Sequence, residues 1–401
     1  MKKIILFVLI LQLSSAISNA QWVQLPNAPY GATIQCFTNS GTNLFAGTYL
    51  SGIFLSTNYG ENWSARGITG QTVYSIVSSG VYLFAGTLSS VYRSSNNGSN
   101  WADIYNAAGT LFLCLASNGS NVFAGTNGSG ILRSTNNGDN WTTVNNGLTN
   151  TYIHSLLTSG TNIFAATNGG VFLSTDNGFN WSAINTGLTN LFVNVLASSG
   201  INLYAGTWGG GVFVSSINGG TWTASNNGLA NHNIRTLTVS EPYVLISNSN
   251  GVFLSAGPGS IWRNRNQGFI TIPVVNSLLV LNNYIYAGTA NQSVWRRNLS
   301  EIITSTEVIS QSNTDSYSLK QNYPNPFNPA TNIRYEIPKT GFVKLVVFDA
   351  LGCERRTLVN EVKQAGNHSV DFNASELSSG IYFYKLESNG FSDIKKMMLI
   401  K

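Results

Sequence analysis

An eight-residue run recurs along most of this chain. Ser56-Thr57-Asn58-Tyr59-Gly60-Glu61-Asn62-Trp63 returns at residues 94–101, 134–141, 174–181 and 215–222, and in degraded form at 255–262. The closing tryptophans, at 63, 101, 141, 181, 222 and 262, lie 38 to 41 residues apart. A second signature precedes each run. Asn43-Leu44-Phe45-Ala46-Gly47-Thr48 returns at 82–87, 121–126, 162–167, 202–207, 243–248 (divergent) and 284–289, which makes seven units. A period of this length means a stack of similar supersecondary units, none able to bury its apolar faces alone.

Each unit holds four short strand-like stretches. In the fourth they are residues 152–158, 162–167, 170–174 and 181–184, separated by Gly, Asn and Ser. Short apolar or alternating runs between such turn formers read as strands. Four strands in about 40 residues make one propeller blade. The seventh unit lacks its box and tryptophan strand, and Gln21-Trp22-Val23-Gln24 resembles the missing piece. The expected fold is therefore all-β, a seven-bladed β-propeller over residues 21–298. Its N-terminal strand closes the last blade and leaves no open edge.

The box has its own chemistry. Asn58, Asn96, Asn136 and Asp176 are placed to accept backbone N–H bonds within a turn, and the glycines allow positive φ. Trp63, Trp101, Trp141, Trp181 and Trp222 are expected to pack between blades with their indole N–H bonded. These runs resemble the Asp-box (BNR) repeat of sialidases, xyloglucan-active glycosidases and photosystem II assembly factors. The resemblance covers roughly residues 21–298. It implies a hairpin between the third and fourth strands of each blade, with a structural role for the box.

Composition narrows the rest. Only 9% of residues are charged, against roughly 25% in an average soluble domain. Residues 21–298 contain no lysine and eight arginines against five carboxylates, whereas residues 299–401 hold eleven basic and eleven acidic side chains. The change marks a domain boundary near residue 300. Without a basic cluster, nucleic acid is not an expected partner. Residues 1–20 carry Lys2 and Lys3, an apolar stretch and small residues before Gln21, the order of a secretory signal peptide. No later segment reaches the ~18 apolar residues of a membrane span. Cys36 and Cys114 occupy equivalent repeat positions two units apart, too far for a disulfide.

Residues 299–320 read as a linker rich in Ser and Thr. After it come Gln321-Asn322-Tyr323-Pro324-Asn325-Pro326-Phe327-Asn328 and strand-like stretches at 332–337, 343–348, 368–372, 381–386 and 395–400. These suggest a small immunoglobulin-like β-sandwich over 321–401. Pro324, Asn325, Pro326 and Phe327, the 346–352 strand, Gly380 and Tyr382 in the 377–384 run, and the terminal Lys395-to-Lys401 segment resemble the type A C-terminal sorting domain of the type IX secretion system of Bacteroidota. The resemblance implies Sec export, engagement of the type IX machinery and delivery to the cell surface. Lys401 stands where that signal is expected to end.

Catalytic candidates are sparse. Glycoside hydrolysis usually needs two facing carboxylates, and the propeller offers Glu61, Asp103, Asp139, Asp176 and Glu241. The arginines show no set that would grip a sialic acid carboxylate. His154 and His232 are too few for a zinc site. No cofactor is expected. A ring of first-strand residues, Gln35, Tyr74, Leu113, His154, Asn194, Arg235 and Asn276, is a candidate channel lining. Exposed aromatics among Gly and Asn, Tyr49 and above all Trp208, suit sugar stacking or protein contacts. The candidate ligand-binding residues are therefore Trp208, Tyr49, His154, Arg235, Asn194 and Asn276. The expected function is a non-catalytic surface scaffold for glycan or protein, with a divergent glycan-active hydrolase as the alternative.

Overall fold

The computed structural model describes residues 21–29, 31–216, 219–304, 317–363 and 366–401. The expected signal segment and most of the expected linker lie outside them. The chain divides into two compact units, residues 1–305 and 306–401.

In the first unit the repeats fold as antiparallel sheets with strands in sequence order. Ile153–Ser159, Asn162–Thr167, Gly170–Ser174 and Ser182–Ala183 form one of them. Second strands have apolar or small residues through their centres because both faces are covered by neighbouring sheets; from Ile163 to Thr167 every residue is buried. First strands touch one another in a cycle. Ile34–Ser40, Val73–Ser79, the later part of Ala102–Asn118, Ile153–Ser159, Val193–Ser199, Thr236–Ser240 and Val275–Leu281 each contact the next, and the last contacts the first. Hydroxyls stitch neighbours together: Ser78 donates to the Asn39 carbonyl (2.9 Å), Ser117 to that of Ser78 (3.1 Å) and Thr158 to that of Ser117 (3.1 Å).

The N-terminal strand completes the last sheet. Val23 and Gln24 pair with Arg296 and Trp295, outside Val294–Asn298, Tyr284–Thr289 and Val275–Leu281. The second and third repeats depart from four-stranded sheets. Tyr82–Ser94 and Ala102–Asn118 run on through Leu88-Ser89-Ser90 and the connection after Asn106, and a six-stranded sheet results.

The glycine of the second signature is a packing requirement. A Cβ on Gly125 would stand 2.5 Å from Cys114 Sγ and 2.6 Å from Ile153 in the next repeat. The fourth repeat carries Ala166 there, opposite the smaller Ser155. Gly125→Ala is expected to cost roughly 1–3 kcal/mol through overpacking, read as a lower midpoint in urea unfolding. An unchanged midpoint would contradict this packing.

In the second unit, Ser318–Leu319, Ala330–Ile337 and Gly366–Asn373 form one sheet, and Glu354–Lys363, Gly341–Asp349, Gly380–Ser388 and Phe391–Leu399 the other. They enclose a core that includes Ile333, Tyr335, Leu345, Val347, Tyr384 and Met397. Two features differ from the sequence expectation. Glu354–Lys363 is a strand, hidden from pattern reading because its side chains are polar and mostly exposed on a sheet edge. The expected linker is structured at both ends: Leu299–Thr304 is a short helix that buries Ile302 against Trp22 and Trp295, and Ser318–Leu319 pairs with Glu336 and Tyr335.

Candidate functional site

The boxes use their polar atoms internally. Ser56 Oγ accepts the Gly60 N–H (2.8 Å) and Asn58 Oδ1 the Asn62 N–H (2.9 Å). The same pair of bonds recurs at Ser94 and Asn96, at Ser134 and Asn136, and at Ser174 and Asp176. The Asn180 backbone N–H, then the Asn180 and Ser174 side chains, pull the Asp176 carboxyl down to about 2. Residues 217–218 of the fifth box lie outside the described residues. Tryptophan indoles tie neighbouring repeats. Trp101 donates to the Arg66 carbonyl, Trp181 to Val144, Trp222 to Ile184 and Trp262 to Ser225, at 2.6 to 2.8 Å. Trp63 and Trp141 donate to Gly60 and Gly138 of their own boxes.

The charged side chains are likewise distributed. Arg93 reaches the Asn137 carbonyl and Asp139 of the next repeat, Arg133 reaches the Asn177 carbonyl and lies over Phe179, and Arg296 reaches the Tyr59 carbonyl and Glu61. Each arginine fastens one box rather than joining a common site. Asp103 accepts from Ser90 and Asn106, and Glu241 from Ser199. Each propeller carboxylate thus has its own local partners, from its own repeat for Asp103 and Asp176 and from the preceding repeat of the cycle for Glu61, Asp139 and Glu241. Among the described residues no group of three or more His, Cys, Asp or Glu could hold a metal.

Strand pairing gives each sheet two ends. The boxes and the first-to-second turns lie at one end; the second-to-third turns and the connections between repeats lie at the other, here the connection end. Glu61, Asp139, Asp176 and Glu241 belong to the box end. The candidate ring residues lie toward the connection end, and six of them share one structural cause. Gln35, Tyr74, Leu113, His154, Asn194 and Asn276 are each the extra residue of a β-bulge, as in the shift between Ile153 and Ser155. A bulge re-aims its side chain, and all seven ring residues are half-buried.

Their side chains do not bond one another. Asn194 donates to the Ile234 and Arg235 carbonyls and Asn276 to the Ile34 carbonyl, which joins adjacent first strands. His154 Nε2 is 2.6 Å from Asn168 Oδ1, and its ring stacks on Phe192 at 5.2 Å. The Arg235 guanidinium lies 5.4 Å from the Trp208 ring centroid, and the Trp208 N–H bonds to the Phe192 carbonyl. The structure therefore gathers Trp208, Arg235, Phe192 and His154 into one patch, spends Asn194 and Asn276 on backbone, and leaves Tyr49 in the first repeat, away from the others.

Trp208 is 41% exposed, and it is the one exposed tryptophan of nine. Further exposed apolar side chains crowd the same end: Leu50, Leu88, Tyr152, Leu191, Ile270 and Ile272. Arg235 makes no ion pair among the described residues. Phe192 was missed in the sequence, although Tyr152 stands at the same repeat position and signals an aromatic there.

The sorting-motif residues are built into the second unit. Phe327 is buried and bonds through its backbone to Met398 and Ile400. The Pro324 carbonyl accepts from Asn322 and Thr331, and Asn325 Oδ1 accepts the Met398 N–H. Pro326 follows a cis bond, Gly380 opens a strand, and Tyr382 donates to the Ser378 carbonyl. Lys401 bonds to Ser379 and Ser375.

Residues 321–401 match the secretion system C-terminal sorting domain, and residues 103–243 match the DUF6242 beta propeller domain. No curated protein matches the chain by sequence. Solved structures that share its fold include three of known context. YCF48 bound to D1 peptide is 14% identical with a TM-score of 0.56, over 71% of this chain and 96% of that one. The GH74 xyloglucanase from Xanthomonas campestris is 14% identical with a TM-score of 0.54, over 70% and 54%. PorZ, an essential surface component of the type-IX secretion system of Porphyromonas gingivalis, is 14% identical with a TM-score of 0.51, over 92% and 59%. At these identities the likeness is one of fold alone. The chain carries a β-propeller domain and a type IX sorting domain, which makes it a secreted protein of the cell surface. No helix among the described residues is long and apolar enough to cross a membrane.

Proposed function

We propose that this chain is a surface binding protein. A seven-bladed propeller of Asp-box repeats over residues 21–298, closed by the N-terminal strand, holds a glycan or protein ligand at its connection end without chemistry of its own. Residues 1–20 serve as signal peptide, 299–320 as connection and 321–401 as the immunoglobulin-like sorting domain that engages the type IX machinery. The cycle of first-strand contacts and the recurring box bonds support the blade count and the repeat type.

The observation that carries the reading is the patch of Trp208, Arg235, Phe192 and His154. A half-exposed indole beside an arginine without a carboxylate partner offers an aromatic shelf and a positive charge. Proteins of the same fold include one bound to a peptide and one that is a xyloglucanase, so both ligand classes are reasonable probes.

The secreted chain is therefore screened on a glycan array and against extracellular-matrix proteins. Trp208→Ala is expected to weaken whatever binding is found by at least about tenfold, or ~1.4 kcal/mol, with unfolding unchanged. Binding unaffected by Trp208→Ala would remove the site. Turnover of polysaccharides or sialosides that disappears in Asp103→Asn or Glu241→Gln would point to a hydrolase instead.

A further inference from the structure

We infer that the type IX machinery reads the sorting domain on the outward face of its four-stranded sheet, through a machinery protein that presents apolar side chains around a carboxylate.

The sorting motif is partly spent on the fold, although Tyr323, Pro324 and Pro326 stay exposed. Phe327 and Tyr382 are buried, and Asn325 and Lys401 are tied down by hydrogen bonds to residues 396–398, 375 and 379. Those residues build the fold, so recognition needs side chains that the fold leaves free. Strand alternation supplies them. In Gly341–Asp349, Gly380–Ser388 and Phe391–Leu399, Val343, Leu345, Val347, Tyr384, Leu386, Met397 and Leu399 point into the core. The alternate set points outward, and among the described residues of the domain no further strand or helix lies over it, although Val346 at its centre is buried.

That outward set is apolar to a degree unusual for a free face. Ile381, Ile394 and Met398 are exposed. Phe348 pairs with Phe383, Phe383 with Lys396, Ile381 with Met398, and Lys385 with Ile394. Phe348, Phe383, Lys385 and Ile394, with Asp349 that Arg355 neutralises, line a shallow depression of about 450 Å³. The charges fix the kind of partner. Lys385 is paired with Glu387, and Glu354 lies on the edge strand, holding Thr357. Lys396 has no carboxylate partner among the described residues, and it stands between Ile394 and Met398 on its strand and beside Phe383. A cation ringed by apolar side chains calls for a carboxylate ringed by apolar side chains. Because Ile394, Lys396 and Met398 belong to Phe391–Leu399, the face also depends on that edge strand.

The test uses the full chain expressed in a host with type IX secretion. Lys396→Glu and Phe383→Ser should each lower the surface-displayed fraction at least tenfold, with the chain accumulating in the periplasm. Lys396→Arg should restore display, and Arg334→Glu, an exposed charge reversal on the other sheet, should display normally. Protease resistance of the purified variants reports folding; Lys396→Glu removes no interaction of the folded domain and is decisive if Phe383→Ser misfolds. A photo-crosslinking residue at position 394 should capture a component of the type IX machinery. Wild-type display by folded Lys396→Glu, or crosslinks only to lipopolysaccharide or to a second copy of this chain, would overturn the inference.

Discussion

Trp22→Ala should lower the melting temperature of the secreted protein by roughly 8–15 °C, a loss of about 3–5 kcal/mol for an interior tryptophan in a domain of this size. Trp22 is 1% exposed. Its indole N–H donates to the Arg265 carbonyl at 2.6 Å, its backbone N–H to the Gln267 carbonyl at 2.7 Å, and its ring stacks on Phe269 at 5.2 Å. The first strand pairs through only Val23 and Gln24, so this side chain is the main anchor of the N-terminal segment. Losing it also frees the edge of Val294–Asn298 for pairing with another chain. Scanning calorimetry with size-exclusion chromatography should therefore show both a lower midpoint and new dimers or aggregates. A midpoint within 2 °C of wild type would mean that other contacts hold the strand.

Much of this architecture was legible because the repeat states it many times. The apolar second signature marks the strand covered on both faces, and the box tryptophan marks the contact between repeats. The kinship of Gln21-Trp22 with Asn62-Trp63 identified the strand that the last sheet lacks, and Trp22 now bonds to Arg265 as Trp262 bonds to Ser225. What stayed hidden broke periodicity or depended on tertiary company. Nothing in the repeat pattern marks the run-on of Tyr82–Ser94 and Ala102–Asn118 that joins two sheets. Glu354–Lys363 is too polar to announce itself, and Leu299–Thr304 is six residues long, helical because Ile302 finds an apolar hole and Arg265 Nε binds its carbonyl at 2.9 Å.

The candidate site was legible only as a column of positions. Equivalence between repeats placed His154, Asn194, Arg235 and Asn276 in one ring, but it could not show that all of these except Arg235 sit at bulges. Nor could it show that the short amides of Asn194 and Asn276 reach the neighbouring backbone while the longer Arg235 reaches past it to Trp208. Side-chain length, a detail below the repeat, separates a structural member of the ring from a candidate ligand contact.

Deleting residues 323–401 should reduce surface display to background and leave the remainder in the periplasm. Surface labelling of intact cells, compared with labelling after lysis, measures it. The expectation follows from how the second unit is built. Its core joins residues distant in sequence, Leu319 and Phe327 with Phe372, Tyr384 and Leu399, so no fragment of it keeps the sheet. Phe327→Ala tests the same point with one side chain. Phe327 is 2% exposed and packs on Phe372 at 6.1 Å, and its loss costs about 3–5 kcal/mol, a large share of what so small a domain has. Display should then fall steeply with temperature while the retained protein keeps its tryptophan emission, since none of the nine tryptophans lies beyond residue 295. Full surface display of the truncated chain would mean that the signal for export lies in the propeller.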